Sequence, residues 1–148
     1  MTDKVYSDSE AVMSHEYGIY KYLEKVYGDK INFHISESYF SYHTIYDKII
    51  RFHHGHGFRY VGGIGGIYMP LMRFILKVNQ QHTADLDVMG HWHQTIHIPE
   101  ALINGSVCGF DAYALRKAFK PEPPMQQYQI IDSKRGFTYN IPIHLEDV

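Results

Sequence analysis

Two short apolar stretches each run straight into a glycine-flanked histidine cluster, and this constrains the chain more than any other feature. Lys48 to Phe52 leads into His53-His54-Gly55-His56, and Asp87 to Gly90 leads into His91-Trp92-His93. Short apolar runs bounded by glycine read as strands. Loops at the carboxyl ends of strands are where α/β proteins commonly place ligand sites. Seven of the 11 histidines lie between residues 53 and 97: His53, His54, His56, His82, His91, His93 and His97. In an extended His-x-His, alternate side chains share one side of the backbone. His91 and His93 are therefore expected to reach a common site, with Gly55 and Gly90 allowing tight turns beside it. Neutral imidazole is a frequent ligand of zinc, manganese and iron, so these histidines are candidate metal ligands.

The 148 residues are 45% hydrophobic, enough for one cored domain spanning 1–148. The formal charge of −2, from 14 Lys and Arg against 16 Asp and Glu, excludes a generic basic nucleic-acid clamp. The longest apolar run, Ile64 to Leu76, is broken by glycines, Pro70 and Arg73, so no membrane helix is expected. The polar start MTDKVYSDSE reads as no signal peptide. Cys108 is alone, which permits no internal disulfide, fits a reducing cytoplasm and suggests a core position.

Ser7 as N-cap and Glu10 as its capping-box partner predict a helix to Tyr27, with Val12, Ile19, Tyr20, Leu23, Val26 and Tyr27 on one face and Gly28 as the stop. Strands are predicted at Ile31–Ile35, Tyr39–Tyr46, Lys48–Phe52 and Asp87–Gly90, and helices at Tyr68–Gln80 and Asp111–Phe119. Hairpins are predicted from Thr95–Ile98 with Ala101–Ile103, and from Gln127–Asp132 with Phe137–Ile143. The fold class is α+β, close to α/β, with most strands in the C-terminal half. Val61 to Gly66 is a loop, because its glycine spacing is not a dinucleotide fingerprint. The tyrosines read as core and sheet-face residues, Asp85 and Asp87 as solvated charges flanking a strand, and Asn104-Gly105-Ser106 as a turn.

Phe52-His53-His54-Gly55 followed by Val88-Met89-Gly90-His91-Trp92-His93 resembles the last two motifs of the calcineurin-like metallophosphoesterases. His54-Gly55-His56-Gly57-Phe58-Arg59, Gly109-Phe110-Asp111-Ala112-Tyr113 and Glu122-Pro123-Pro124 are similar to a phage and bacterial branch of that family. The likeness runs over about residues 50–143, and it implies a partial metallophosphoesterase β-sandwich, one sheet-rich half with an N-terminal helix. It also implies His54, His91 and His93 as metal ligands, with His53, His56 and Arg59 as second-rank site residues. His56 stands where the branch carries Asp. The family's Asp-x-His, Gly-Asp and Gly-Asn-His motifs have no counterpart here, since Gly28-Asp29 follows a helix rather than a strand. The chain thus resembles the C-terminal half of such an enzyme.

Three functions follow from the resemblance and the residues together. The first is a phosphoester or phosphodiester hydrolase relative that is inactive alone, because two-metal hydrolysis needs a bridging acid. The second is a phage-type accessory or inhibitor protein gripping a host protein. The third is a mononuclear His-ligated metal hydrolase. The cofactor expected is Mn, Fe or Zn, held weakly. The partner expected is a second copy of the chain, a complementary N-terminal half on another chain or a host protein, in a bacterial cytoplasm and phage-encoded on the resemblance.

Overall fold

A computed structural model describes residues 12–59 and 65–146. They divide after Ser41 into two compact units. In the first, α1 (His15–Tyr27) begins at Ser14, whose hydroxyl accepts from the Tyr17 N–H at 3.1 Å. The Ser7 capping box lies outside the described residues. Val12 and Met13 precede the helix as a turn, so the predicted apolar face is one residue shorter than expected. No residue of α1 is buried. Ile31–Ile35 is not a strand. Alternation alone makes no ladder where no neighbouring strand supplies hydrogen bonds.

The second unit carries a five-stranded sheet in the order β1-β2-β3-β5-β4, built from β1 (Ser41–Ile45), β2 (Lys48–His53), β3 (Leu86–Met89), β4 (Ile96–Ile98) and β5 (Ala101–Ile103). β2 and β3 are parallel, joined by a crossover containing α2 (Tyr68–Asn79). Leu71, Ile75 and Val78 of α2 are buried at helical spacing. Pro70 sits in the first turn, where its missing N–H has no carbonyl to meet. β5 is parallel to β3 and antiparallel to β4, and all three of its residues are buried. Phe58, Leu71, Ile75, Met89 and Ile103 form the core against it. The fold is therefore mixed α+β. No helix among the described residues is long and apolar enough to cross a membrane.

After α3 (Ala112–Arg116), capped by the Asp111 carboxylate on the Ala114 N–H, a separate two-stranded sheet pairs β6 (Met125–Asp132) with β7 (Gly136–His144). Asn104 Oδ1 accepts from the Gln127 N–H at 2.9 Å and ties the hairpin to the end of β5. Asn104-Gly105-Ser106 is thus an irregular anchor. Cys108 is exposed in the turn that follows, not in the core. Many tyrosines, among them Tyr22, Tyr68, Tyr128 and Tyr139, are also exposed.

Asp87 corrects the sequence reading most sharply. It is 1% exposed, directly opposite the fully buried Arg51 across the β2–β3 ladder. The pair is bidentate, with Nε to Oδ1 and Nη2 to Oδ2 both at 2.7 Å. A third guanidinium nitrogen donates to the His82 carbonyl at 2.9 Å. Burial opposes the Arg51 charge, but the hydrogen bonds and charge of Asp87 outweigh it and hold its pKa above the ordinary value. Tyr42 stacks on His82 at 3.9 Å between centroids and lies beside the guanidinium. Asp85, by contrast, is exposed and accepts the Ile49 N–H at 2.8 Å.

Candidate functional site

β2 and β3 run parallel and end side by side, so the loops that follow them share one edge of the sheet. His53, the last residue of β2, turns into the core, where its Nε2 lies 3.2 Å from Asp87 Oδ1 and its ring packs on Phe74. His54 emerges at the rim. Gly55, at φ 105°, turns the backbone beneath Gly90 and His91, and its carbonyl accepts the Trp92 indole N–H at 3.1 Å. Trp92 also stacks on Phe58 at 5.1 Å, and Phe58 meets Phe74 at 5.3 Å. An aromatic wall thus supports the rim from below.

Three imidazoles meet above that wall. His91 Nδ1 and His54 Nε2 are 3.0 Å apart, so in the neutral pair one donates and the other accepts. Ring centroids are separated by 4.8 Å for His54–His91, 5.2 Å for His54–His56 and 6.0 Å for His56–His91. The pKa of His91 is lowered from 6.5 to about 4, chiefly by withdrawal of its ring from water and then by the charges that His54, His56 and His93 would set against it. His91 is therefore neutral at pH 7.

His91 and His93 do not share one side of an extended backbone. Both adopt left-handed conformations, with φ of 70° and 52°. This local twist sends the two side chains apart. His91 faces His54 and His56, while His93 lies against Tyr113 at 5.8 Å and Phe119 at 5.2 Å. The Nδ1 atom of His93 is buried without a hydrogen-bond partner among the described residues. His56, a second-rank candidate from the sequence, lies beside both His54 and His91. Arg59 is exposed next to the undescribed 60–64 segment. Trp92 and Asp87 are the supporting residues that sequence reasoning missed. The signal for Asp87 was present: opposite charges sit inside two apolar strands that end in matching histidine clusters.

With metal–nitrogen bonds near 2.0–2.1 Å and tetrahedral angles, two imidazole nitrogens on one ion lie about 3.3 Å apart and their ring centroids about 5 Å apart. Two of the three pairs, at 4.8 and 5.2 Å, have that spacing and the third, at 6.0 Å, is wider, and the rings do not converge. Among the described residues no group of three or more His, Cys, Asp or Glu side chains is arranged to hold an ion as the side chains stand. His54, His56 and His91 all stand at the rim, where the loops after β2 and β3 meet.

The depressed His91 value fixes a pH dependence. Its folded pKa lies below its unfolded one, so the unfolded chain binds the extra proton between them. Stability is expected to fall as pH drops from about 6.5 towards about 4, with no further loss from this group below that. Urea midpoints of the wild type and His91→Gln compared across that window check it. The wild type should lose more than the variant, and equal losses would remove His91 from the account.

No family model matches the chain, and no curated protein matches it. A solved structure of an archaeal phosphodiesterase is similar, with a TM-score of 0.48 and 15% sequence identity over 89% of this chain. The chain spans 63% of the length of that protein.

Proposed function

We propose that this chain is a metallophosphoesterase-like protein with a reduced, imidazole-only metal centre, binding one divalent transition ion without hydrolysing phosphodiesters by itself. The observation that carries this reading is the meeting of His54, His56 and His91 where β2 and β3 end together. His54 and His91 are the core of the proposed ligand set, His56 completes it, and His93 is the remaining candidate. Zinc suits such nitrogen donors better than manganese, which favours carboxylate and water oxygen. Iron is the intermediate case.

The cluster lacks what two-metal hydrolysis requires, a bridging acid and negative charge to offset two cations 3.5–4 Å apart. The sequence elements that supply them in the resembled family are absent from these 148 residues. Any phosphoester turnover is therefore assigned to an assembly with a second chain that brings those carboxylates.

Titration calorimetry of the full chain with Zn²⁺ tests the reading. One ion per chain is expected, with Kd of about 1–100 μM. His54→Ala and His91→Ala should each weaken binding by about tenfold or more, and His93→Ala by less, while bis-p-nitrophenyl phosphate is not turned over. Zinc binding unchanged in both His54→Ala and His91→Ala, or phosphodiester turnover by the pure chain, would overturn it.

A further inference from the structure

The β6–β7 hairpin wears an apolar face outwards. Cross-strand partners project to the same side of a ladder, and the register pairs Gln126 with Ile143, Tyr128 with Ile141 and Ile130 with Tyr139. Tyr128, Ile130, Tyr139, Ile141 and Ile143 are all exposed, at 56%, 37%, 65%, 44% and 42%. The opposite side carries Gln127, Gln129 and Asn140 together with the apolar Met125, Ile131 and Phe137, all half-buried. Gln127 there bonds to the carbonyl of Ile103 and the side chain of Asn104, at the end of the main sheet. A sheet with one solvated face normally turns its apolar side to the core and its polar side to water. Here apolar side chains line both faces, and the outer set is left in water.

We infer that this outer face is a self-association surface on which a second copy of the chain packs, sheet against sheet. The pattern of side chains favours a second copy over an unrelated partner. Tyr128 and Ile141 form one row across the hairpin, and Ile130 and Tyr139 form the next with the order of large and small reversed. A twofold axis parallel to the strands exchanges the two columns and keeps the rows. It therefore sets Tyr128 of one copy over Ile141 of the other, and Ile130 over Tyr139. Every large ring then meets a smaller side chain, the condition for interdigitation of two packed faces. None of the six positions on the face carries a charge, so the symmetric contact opposes no like charges.

The area is of the right order. The exposed parts of these five side chains amount to about 400–500 Å² per copy, or about 800–1,000 Å² for the pair, near the threshold of about 1,000 Å² for a specific interface. Gln126 and the strand ends around the patch add its polar rim. The surface is built from residues outside the imidazole cluster, so it stands or falls independently of metal binding.

Sedimentation equilibrium of the full metal-free chain between about 1 and 100 μM tests it. The expected result is a dimer, twice the 17.3 kDa of the chain. Tyr139→Lys and Ile141→Lys should each weaken dimerisation by about a hundredfold or more, because the twofold axis places every substitution in the interface twice. Both positions are exposed, and circular dichroism should show the fold kept. Leu76→Lys, on an exposed position of α2, should leave the dimer intact. A wild-type chain that stays monomeric across the range overturns the proposal, including one that binds lipid vesicles through this face. A dimer indifferent to both hairpin substitutions overturns it equally.

Discussion

Asp87→Ala is expected to destabilise the fold by about 3–5 kcal/mol, because it strands a guanidinium in the interior without its counter-ion. Arg51 is fully buried, and Asp87 accepts hydrogen bonds from its Nε and Nη2. The His82 carbonyl and the Tyr42 side chain also meet the guanidinium, but neither is a carboxylate that could offset its charge. His53 loses its carboxylate contact in the same substitution. Set against a typical domain stability of about 5–15 kcal/mol, this loss leaves a small margin. The double substitution Arg51→Met with Asp87→Leu should recover most of the deficit, since it removes the buried charges together and keeps comparable volume. Urea denaturation of the three proteins decides the matter. If Asp87→Ala alone costs less than about 1 kcal/mol, the pair is not the keystone of the β2–β3 ladder that its geometry indicates.

Gly55→Ala is the second substitution with a large expected effect. Gly55 has φ 105°, a conformation that side chains with a Cβ rarely adopt. A Cβ there would lie 2.9 Å from the Gly90 carbonyl oxygen and 3.3 Å from His91 Cβ. The backbone strain alone is worth about 1–3 kcal/mol, and the close approach to Gly90 adds to it. Relief requires the loop after β2 to move away from the loop after β3, which separates His54 from His91. The melting temperature should fall by roughly 4 °C or more, and zinc affinity should drop about tenfold or more. Differential scanning calorimetry and zinc titration measure both. Unchanged values in the two experiments would mean that the loops adapt without Gly55.

The elements carrying the site were legible in the sequence because their signals are local. The apolar runs Lys48–Phe52 and Asp87–Gly90 became β2 and β3, and the periodic stretch from Tyr68 became α2 with Pro70 in its first turn. The Pro99 hairpin and the C-terminal hairpin also formed near their expected bounds. What could not be read depends on neighbours. Ile31, Phe33 and Ile35 alternate like a strand but have no partner strand among the described residues. Asp87 looks like a surface charge until the parallel register sets it opposite Arg51. At the site, the presence of two histidine clusters was readable, but the divergence of His91 and His93 was not. His91 and His93 point apart because of two backbone torsions that no spacing rule encodes.

Those torsions bear on how this sequence drifts. Residues 91 and 93 occupy a backbone conformation that glycine adopts freely and asparagine more readily than most. Selection for folding alone would favour Gly or Asn at either position, since a left-handed histidine costs roughly 1 kcal/mol that glycine does not. A lineage released from any use of these imidazoles has an easy, stabilising route to losing them. The two left-handed histidines are a folding cost that this chain carries, and their rate of replacement among descendants would measure how strongly the imidazoles are needed.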